Sequence, residues 1–483
     1  MTISLSTDKL NKSREKLNKS QEKLNKSQEN EKSKEYSSQE IEKPAQTSPR
    51  AYKKMYIIIS LVYANFWMAA SVSLQAPFFP KEAESKGATP TQYGLVFGVF
   101  ELVVIIMSPI YGKLIPRVSP KFLITCGVFV GGVACCVFGV LDYVPAGKQY
   151  IALAFVVRIV EGFGAAALMT ASFTIVAAAF PESVATSFSL METAFGIGLI
   201  VGPTIGGALY QAGGFLLPFV VNGGFLVCGS FVLAFLLPKI EDTERHEGSR
   251  NLWAFLFDGG IISFTLSIIS SLLFIGFNAA TLEPHLRQFN LAPVILGVIF
   301  VITGGIYAIT TPIWGKICDI GVNPLVIGIG GYCMSVVGIL FIGPVPFIPF
   351  KPTLWTVIGS LVVVGLGLSA KLVSSFIGAL KNVIHRGFPD NLATYGMVSA
   401  LFSTACSTGA FIGPSLGGFL LDTTGYRMGT VVILSLEIFF MVILVTYVVY
   451  SNIKKRNAER DECEREPLMT SSVTRRSYSY SSV

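Results

Sequence analysis

Histidine is nearly missing from this chain: His246, His285 and His385 are the only three in 483 residues, all near loops. There is no HExxH pair and no serine elbow, so neither zincin chemistry nor serine-hydrolase chemistry has its residues. There is no Walker loop either, which argues against ATP as the energy source. The chain does not read as an enzyme. Eight cysteines occur, but none falls in a segment read as lying outside the cytosol, and no CxxC pair is present. Neither disulfides nor a metal or other cofactor is therefore expected. Charge is scarce as well, at 14% of residues against 52% hydrophobic, with a mean hydropathy of +0.60. Those values describe a polytopic membrane protein. The net charge of +7 comes from the ends, because residues 1–54 and 452–483 hold 20 of the 37 Lys/Arg and 13 of the 30 Asp/Glu. A nucleic-acid partner, which needs a basic face on a folded domain, is excluded on that ground.

What the chain has in abundance is glycine, 47 in all, and its placement is patterned. Gly198-Leu-Ile-Val-Gly202-Pro203-Thr-Ile-Gly206-Gly207 sets glycines at every fourth position inside an apolar run. About 210 residues later Gly409-Ala-Phe-Ile-Gly413-Pro414-Ser-Leu-Gly417-Gly418 repeats the spacing. A soluble helix would be weakened by such a run. A membrane helix tolerates it, because small residues let neighbouring helices approach closely and the bundle re-satisfies freed backbone groups. A second repeated pair, Ser108-Pro-Ile-Tyr-Gly112-Lys113 and Thr311-Pro-Ile-Trp-Gly315-Lys316, also points to duplication.

Twelve apolar segments are long enough to span, near 54–77, 91–113, 121–143, 149–177, 184–210, 215–238, 253–278, 291–314, 324–344, 354–380, 392–420 and 426–451. The expected architecture is all-α, with twelve transmembrane helices in two six-helix pseudo-symmetric halves. The halves run over 54–238 and 253–451, joined by the polar linker 239–252 and flanked by a disordered tail at 1–53 and a second tail at 452–483. Lys113, Arg117, Lys121, Lys316, Lys381 and Arg386 gather in loops on one side, which the positive-inside rule makes cytosolic together with both termini. Parallel six-helix repeats place a binding site at mid-membrane between the halves, with alternating access as rocking of one half against the other.

Several of these stretches resemble a known family. Arg158-Ile-Val-Glu161-Gly162-Phe-Gly164 resembles the fourth-helix motif of the major facilitator superfamily, and Gly202-Pro203-Thr-Ile-Gly206-Gly207 its antiporter motif in the fifth helix. Gly112-Lys-Leu-Ile-Pro-Arg117 resembles its cytosolic loop motif, with Pro116 where an Asp is usual, although Asp319 keeps that acid in the second half. Pro77-Phe-Phe-Pro80-Lys-Glu-Ala-Glu84, Phe138-Gly-Val-Leu-Asp142, Met169-Thr-Ala-Ser172 and Phe180-Pro-Glu182 together resemble the vesicular amine transporter family, closest to its polyamine branch. The resemblance implies proton-coupled exchange that loads amines into acidic vesicles of the secretory or endosomal pathway, with the plasma membrane as the alternative address.

Ionisable groups inside a membrane cost about 2.5–3.5 kcal/mol each on insertion scales, so those present are functional candidates. They are Glu101, Arg158, Glu161, Glu192, Lys371 and Glu437, with Glu283 at the non-cytosolic end of the seventh segment. Acids outnumber bases, which favours a cationic substrate. Glu192 and Glu283 lead as substrate or proton sites, Glu283 because Glu283-Pro284 resembles the family's acid–proline pair, and Glu101 follows on the cavity-side second helix. Arg158 and Glu161, three apart on one helix face, are either a structural ion pair or part of a proton relay. Lys371 opposes a cationic substrate unless an acid pairs with it, and Glu437 is expected to pack or to face the lipid edge. Asn65, Gln75, Asn222 and Asn278 are candidate hydrogen-bond donors. Where monoamine and acetylcholine carriers hold acids, this chain has Met68, Ser374 and Ser403, which disfavours a monoamine. The alternatives are a drug or organic-anion transporter with Lys371 as the anion's partner, and a non-transporting receptor or scaffold. In the tails, a Lys-Leu-Asn-Lys-Ser heptad at the N-terminal end is too thin for a coiled coil. Glu464-Arg-Glu-Pro-Leu468-Met469 and Tyr480-Ser-Ser-Val483 are candidate signals for sorting adaptors.

Overall fold

The computed structural model describes residues 49–75, 78–238, 257–291, 293–343, 345–346, 349 and 352–478. The chain divides into two units, Met1–Lys53 and Lys54–Val483, and every candidate span lies in the second. The N-terminal tail up to 48, the linker 239–252 and the Tyr480-Ser-Ser-Val483 stretch lie outside the described residues.

Among the described residues, twelve helices are long and apolar enough to cross a membrane. We label them α1 (Pro49–Leu74), α2 (Pro90–Val118), α3 (Pro120–Val140), α4 (Lys148–Ala179), α5 (Val184–Gly213), α6 (Leu216–Leu236), α7 (Gly259–Leu286), α8 (Pro293–Asp319), α9 (Pro324–Ile342), α10 (Leu354–His385), α11 (Leu392–Thr424) and α12 (Tyr426–Tyr478). A short helix, Phe79–Ser85, lies between α1 and α2. The last helix departs from expectation: residues read as a tail from 452 continue α12 as far as Tyr478. Its apolar, span-competent part ends at Lys454.

Local chemistry sets several helix starts. Thr89 accepts the Gln92 amide while the Gln92 side chain accepts the Thr89 amide, a reciprocal cap that opens α2. Asn323 caps α9 and Asn391 caps α11 through their side-chain oxygens. Each supplies a partner to first-turn N–H groups that the helix itself cannot satisfy.

The glycine runs act where the backbones meet. A Cβ at Gly202 would lie 2.8 Å from the Ala70 carbonyl on α1, and one at Gly413 would lie 2.5 Å from the Leu273 carbonyl on α7. The two copies therefore do equivalent work, drawing α5 onto α1 and α11 onto α7. Gly207 and Gly418, by contrast, face open space. Across the halves α2 packs on α11 and α5 on α8, with further contact of α4 with α11 and of α10 with α5.

Candidate functional site

Between the halves lies a cavity of about 510 Å³, walled by α5, α7 and α8 with single contributions from α4 and α11 and two from α10. Its floor is Met169, Glu192, Leu372 and Cys406. From there it runs along Phe195, Pro203, Thr204, Ala279 and Phe300, toward the side opposite the basic loops. The walls are mostly apolar and aromatic. Glu192 is the one carboxylate among the described lining residues, and no Lys, Arg or His is among them.

Glu192 is 9% exposed, and the Tyr307 hydroxyl on α8 donates to its Oε2 at 2.6 Å. That length is typical of a hydroxyl bound to a carboxylate. One residue on, Thr193 Oγ1 donates to the Ala308 carbonyl at 3.0 Å, so α5 and α8 are tied twice within a single turn. Tyr307 was not singled out from the sequence. Its signal is faint: a tyrosine four residues before Thr311 in the repeated Thr-Pro-Ile-Trp-Gly-Lys stretch.

The tie continues toward the basic side. Asp319 accepts the backbone amides of Ala185 at 3.1 Å and Thr186 at 2.8 Å, capping the N-terminus of α5 from the other half. A carboxylate there meets both unsatisfied N–H groups and the positive end of the helix dipole. A Cβ at Gly315 would lie 2.7 Å from the Ala185 carbonyl, and one at Gly112 2.7 Å from the Gly396 carbonyl on α11, so both glycines sit at cross-half contacts.

The remaining candidates occupy other places. Arg158 Nη1 lies 2.8 Å from Glu161 Oε2, and Glu161 also accepts Ser71 Oγ of α1 at 2.9 Å and Gln75 Nε2, just past that helix, at 2.8 Å. The guanidinium lies 4.4 Å from the Phe100 ring centre. Both charged groups are buried within the first half, away from the cavity lining. Glu101 interacts with Ser407 of α11 and lies in the field of Arg158. Asn65 donates to the Leu61 carbonyl at 2.8 Å and to Ser172 Oγ at 3.2 Å, joining α1 to α4. Asn278 lines the cavity, and its Oδ1 has no hydrogen-bond partner. Glu283 falls in the last turn of α7, and its side chain lies outside the described residues.

Lys371 does meet an acid, but inside the second half. Its Nζ lies 2.8 Å from Glu437 Oε1 and 3.0 Å from Oε2, 3.3 Å from Ser270 Oγ, and 4.8 Å from the Tyr332 ring centre. Glu437, expected at a packing or lipid-edge position, is 1% exposed because α12 turns it onto α10. A buried lysine left unpaired would be strongly disfavoured, so the pair explains how α10 holds a cation. Beyond the seventh span, burial and then the Arg427 guanidinium push His285 down to about 4. Its ring stacks on Tyr426 with centres 4.0 Å apart.

Two bundles of six helices, cross-packed around a cavity with one carboxylate among its described lining residues, make the fold of a membrane transporter, and the chain belongs to the Major Facilitator Superfamily, whose family model matches residues 61–394. Among curated proteins it is similar to the human MFS-type transporter SLC18B1, 37% identical over 380 residues, covering 78% of this chain and 82% of that one. It is also similar to the human synaptic vesicular amine transporter, 25% identical over 361 residues, with 72% and 65% of the two chains covered. Among solved structures, the human organic anion transporter MFSD10 aligns with a TM-score of 0.64 at 14% identity, over 81% of this chain and 99% of that one. A bacterial homologue of the iron transporter ferroportin aligns with a TM-score of 0.65 at 14% identity, with the same coverage. At that identity the structural matches speak for the fold alone.

Proposed function

We propose that this transporter is a proton-coupled antiporter that moves an organic cation, a polyamine or related amine, into acidic vesicles. The carrying observation is Glu192 at the cavity floor, bonded to Tyr307 of the opposite half. A carboxylate in that place takes either a proton or a substrate ammonium, and each exchange alters the bond that ties α5 to α8. Aromatic faces at Phe195, Phe274, Phe300 and Tyr307 suit a cation that has left water, through the ring quadrupole. The similarity to a synaptic vesicular amine transporter supports the substrate class and the vesicular address. Both termini then face the cytosol, where the tail motifs are within reach of sorting adaptors.

The organic-anion reading drew on Lys371, and that lysine is committed to Glu437 outside the cavity. The test is uptake of labelled spermidine and spermine into proteoliposomes with an imposed inside-acid gradient. Gradient-dependent uptake that Glu192→Gln abolishes is expected, and the absence of such uptake for any amine tried would remove the proposal.

A further inference from the structure

Two stretches that stand out in the sequence, Pro77-Phe-Phe-Pro80-Lys-Glu-Ala-Glu84 and Phe138-Gly-Val-Leu-Asp142, contribute nothing to the described cavity lining. The fold brings them together on the face opposite the basic loops. The first forms the short helix Phe79–Ser85, and the second ends in a single 3-10 turn, Leu141–Tyr143, at the close of α3. The short helix lays one face on the first half. Phe79 is 1% exposed, its ring centre 5.0 Å from that of Phe138, 5.6 Å from Phe97 and 6.5 Å from Tyr150. Ala83, one turn on, is fully buried. Lys86, which ends the helix, donates through Nζ to the Asp142 carbonyl at 2.7 Å and the Val144 carbonyl at 3.3 Å. Just before the helix, Phe78 stacks on Tyr210 near the end of α5 with centres 4.9 Å apart.

Phe79, Glu82, Ala83 and Lys86 share this inner face by helical spacing, so the face includes an acid. Glu82 meets Asp142 there, carboxyl to carboxyl. The cation beside them gives little relief: Lys86 Nζ, held by its two carbonyls, stays 3.9 Å from Glu82 Oε1, too far for a hydrogen bond. From α4, the Tyr150 hydroxyl lies in the field of both acids, buried and with no hydrogen-bond partner. Glu84 is exposed and accepts the Tyr93 hydroxyl of α2 at 3.2 Å.

We propose that Glu82 and Asp142 form a site that takes up one proton from the face opposite the basic loops, and that this proton fastens the Phe79–Ser85 helix to the first half. Two carboxylates so placed repel, whereas a carboxyl and a carboxylate share a hydrogen bond. The Tyr150 hydroxyl is then a donor for the negative charge that remains. Burial first, and then Asp142, hold the Glu82 carboxyl above the usual carboxylate range, against the pull of Lys86. A carboxyl raised in this way stabilises the docked helix fully below its free value, and that stabilisation is lost as pH rises through the docked value. The helix is therefore tightest in acid and loosens toward neutrality. The site stands on its own geometry. The reading of an acidic vesicle lumen on this face adds its use: the helix is fastened in the vesicle and loosened at a neutral surface.

The test is hydrogen exchange of the full-length protein in lipid nanodiscs, read by mass spectrometry on a peptide covering residues 79–88. Labelling times are scaled for the intrinsic pH dependence of exchange, from about pH 4.5, near the ordinary glutamate value, to about pH 7.5. In the parent, protection should fall by about threefold or more as pH rises, the scale of interactions between partly exposed charges. Glu82→Gln, which keeps a neutral donor facing Asp142, should hold protection high and flat across the range. Asp142→Asn should also flatten the profile, and it serves as the second variant if Glu82→Gln does not fold. A flat profile in the parent, or the parental slope in either folded variant, overturns the site. Exchange is read without transport, so a parental slope without any amine uptake would sink the transport reading and leave the proton site standing, and amine uptake with a flat profile would do the reverse.

Discussion

The two interfaces between the halves are built on the same pattern and bonded differently. Aligning the Ser/Thr-Pro-Ile-aromatic-Gly-Lys stretches and the two Gly-Pro runs places α2–α11 over α8–α5. At the basic end both interfaces rely on a glycine, Gly112 against Gly396 in one and Gly315 against Ala185 in the other. One turn on, Asp319 caps α5, whereas its counterpart at α2 is Pro116, which has no carboxylate to offer α11. Glu192 bonds Tyr307 in α5–α8; the corresponding positions in α2–α11 are Ser403, whose Oγ is buried without a partner, and the apolar Val104. The acid of α2–α11 is instead Glu101 with Ser407, whose counterparts in α5–α8 are Gly304 and Gly196. The two interfaces share a scaffold, and only in α5–α8 does a side-chain bond between the halves, Glu192 with Tyr307, stand in the cavity lining.

The largest expected effect tests whether charge elsewhere in the second half belongs to this seam. Lys371→Ala leaves Glu437 buried without compensation and should cost about 3–5 kcal/mol of stability. Lys371→Met together with Glu437→Leu should recover most of the loss in thermal melting and keep gradient-driven uptake. Uptake lost in a stable double variant would bring the pair back into the mechanism.

Next comes the asymmetry of the two acids. Glu192→Gln should lower exchange by about a hundredfold, the scale on which a positioned proton carrier acts, and Glu101→Gln by much less. Equal losses in initial uptake rates would break the contrast. Tyr307→Phe should fall between them and shift the pH profile of uptake, because it changes only the carboxylate's partner.

Smaller effects are expected at the basic end. Gly112→Ala places a methyl 2.6 Å from the Ala400 Cβ and should push α2 away from α11. Overpacking of this kind costs about 1–3 kcal/mol. Asp319→Asn weakens a cap by about 1 kcal/mol and should raise labelling of Cys406 by a membrane-impermeant thiol reagent applied from the basic face about fivefold. Pro116→Asp, which gives α2–α11 the missing carboxylate, should move labelling slightly the other way.

Much of this was legible in the chain. Twelve apolar stretches, two Gly-Pro runs and a polar linker between equal halves dictate a duplicated helical bundle, because spacing along a helix becomes a face and glycine becomes a point of close approach. Glu192 could be picked out because a carboxylate inside an apolar run is costly enough to need a reason. The roles of its neighbours could not be read that way. Lys371 and Glu437 are 66 residues apart, and nothing local says that α12 turns the acid onto α10. Tyr307 is 115 residues from Glu192, and nothing local says that α8 turns its hydroxyl onto α5.

The sequence by itself thus determined the number of helices, their pairing into halves and the presence of an acid, Glu192, in the same apolar run as Pro203. Those properties rest on short-range periodicity and on the cost of charge in lipid. Only the tertiary structure decided which acid faces the cavity and which is spent on a buried lysine. Each of those depends on contacts between helices distant in sequence, where a rotation of one helix exchanges a partner for empty space.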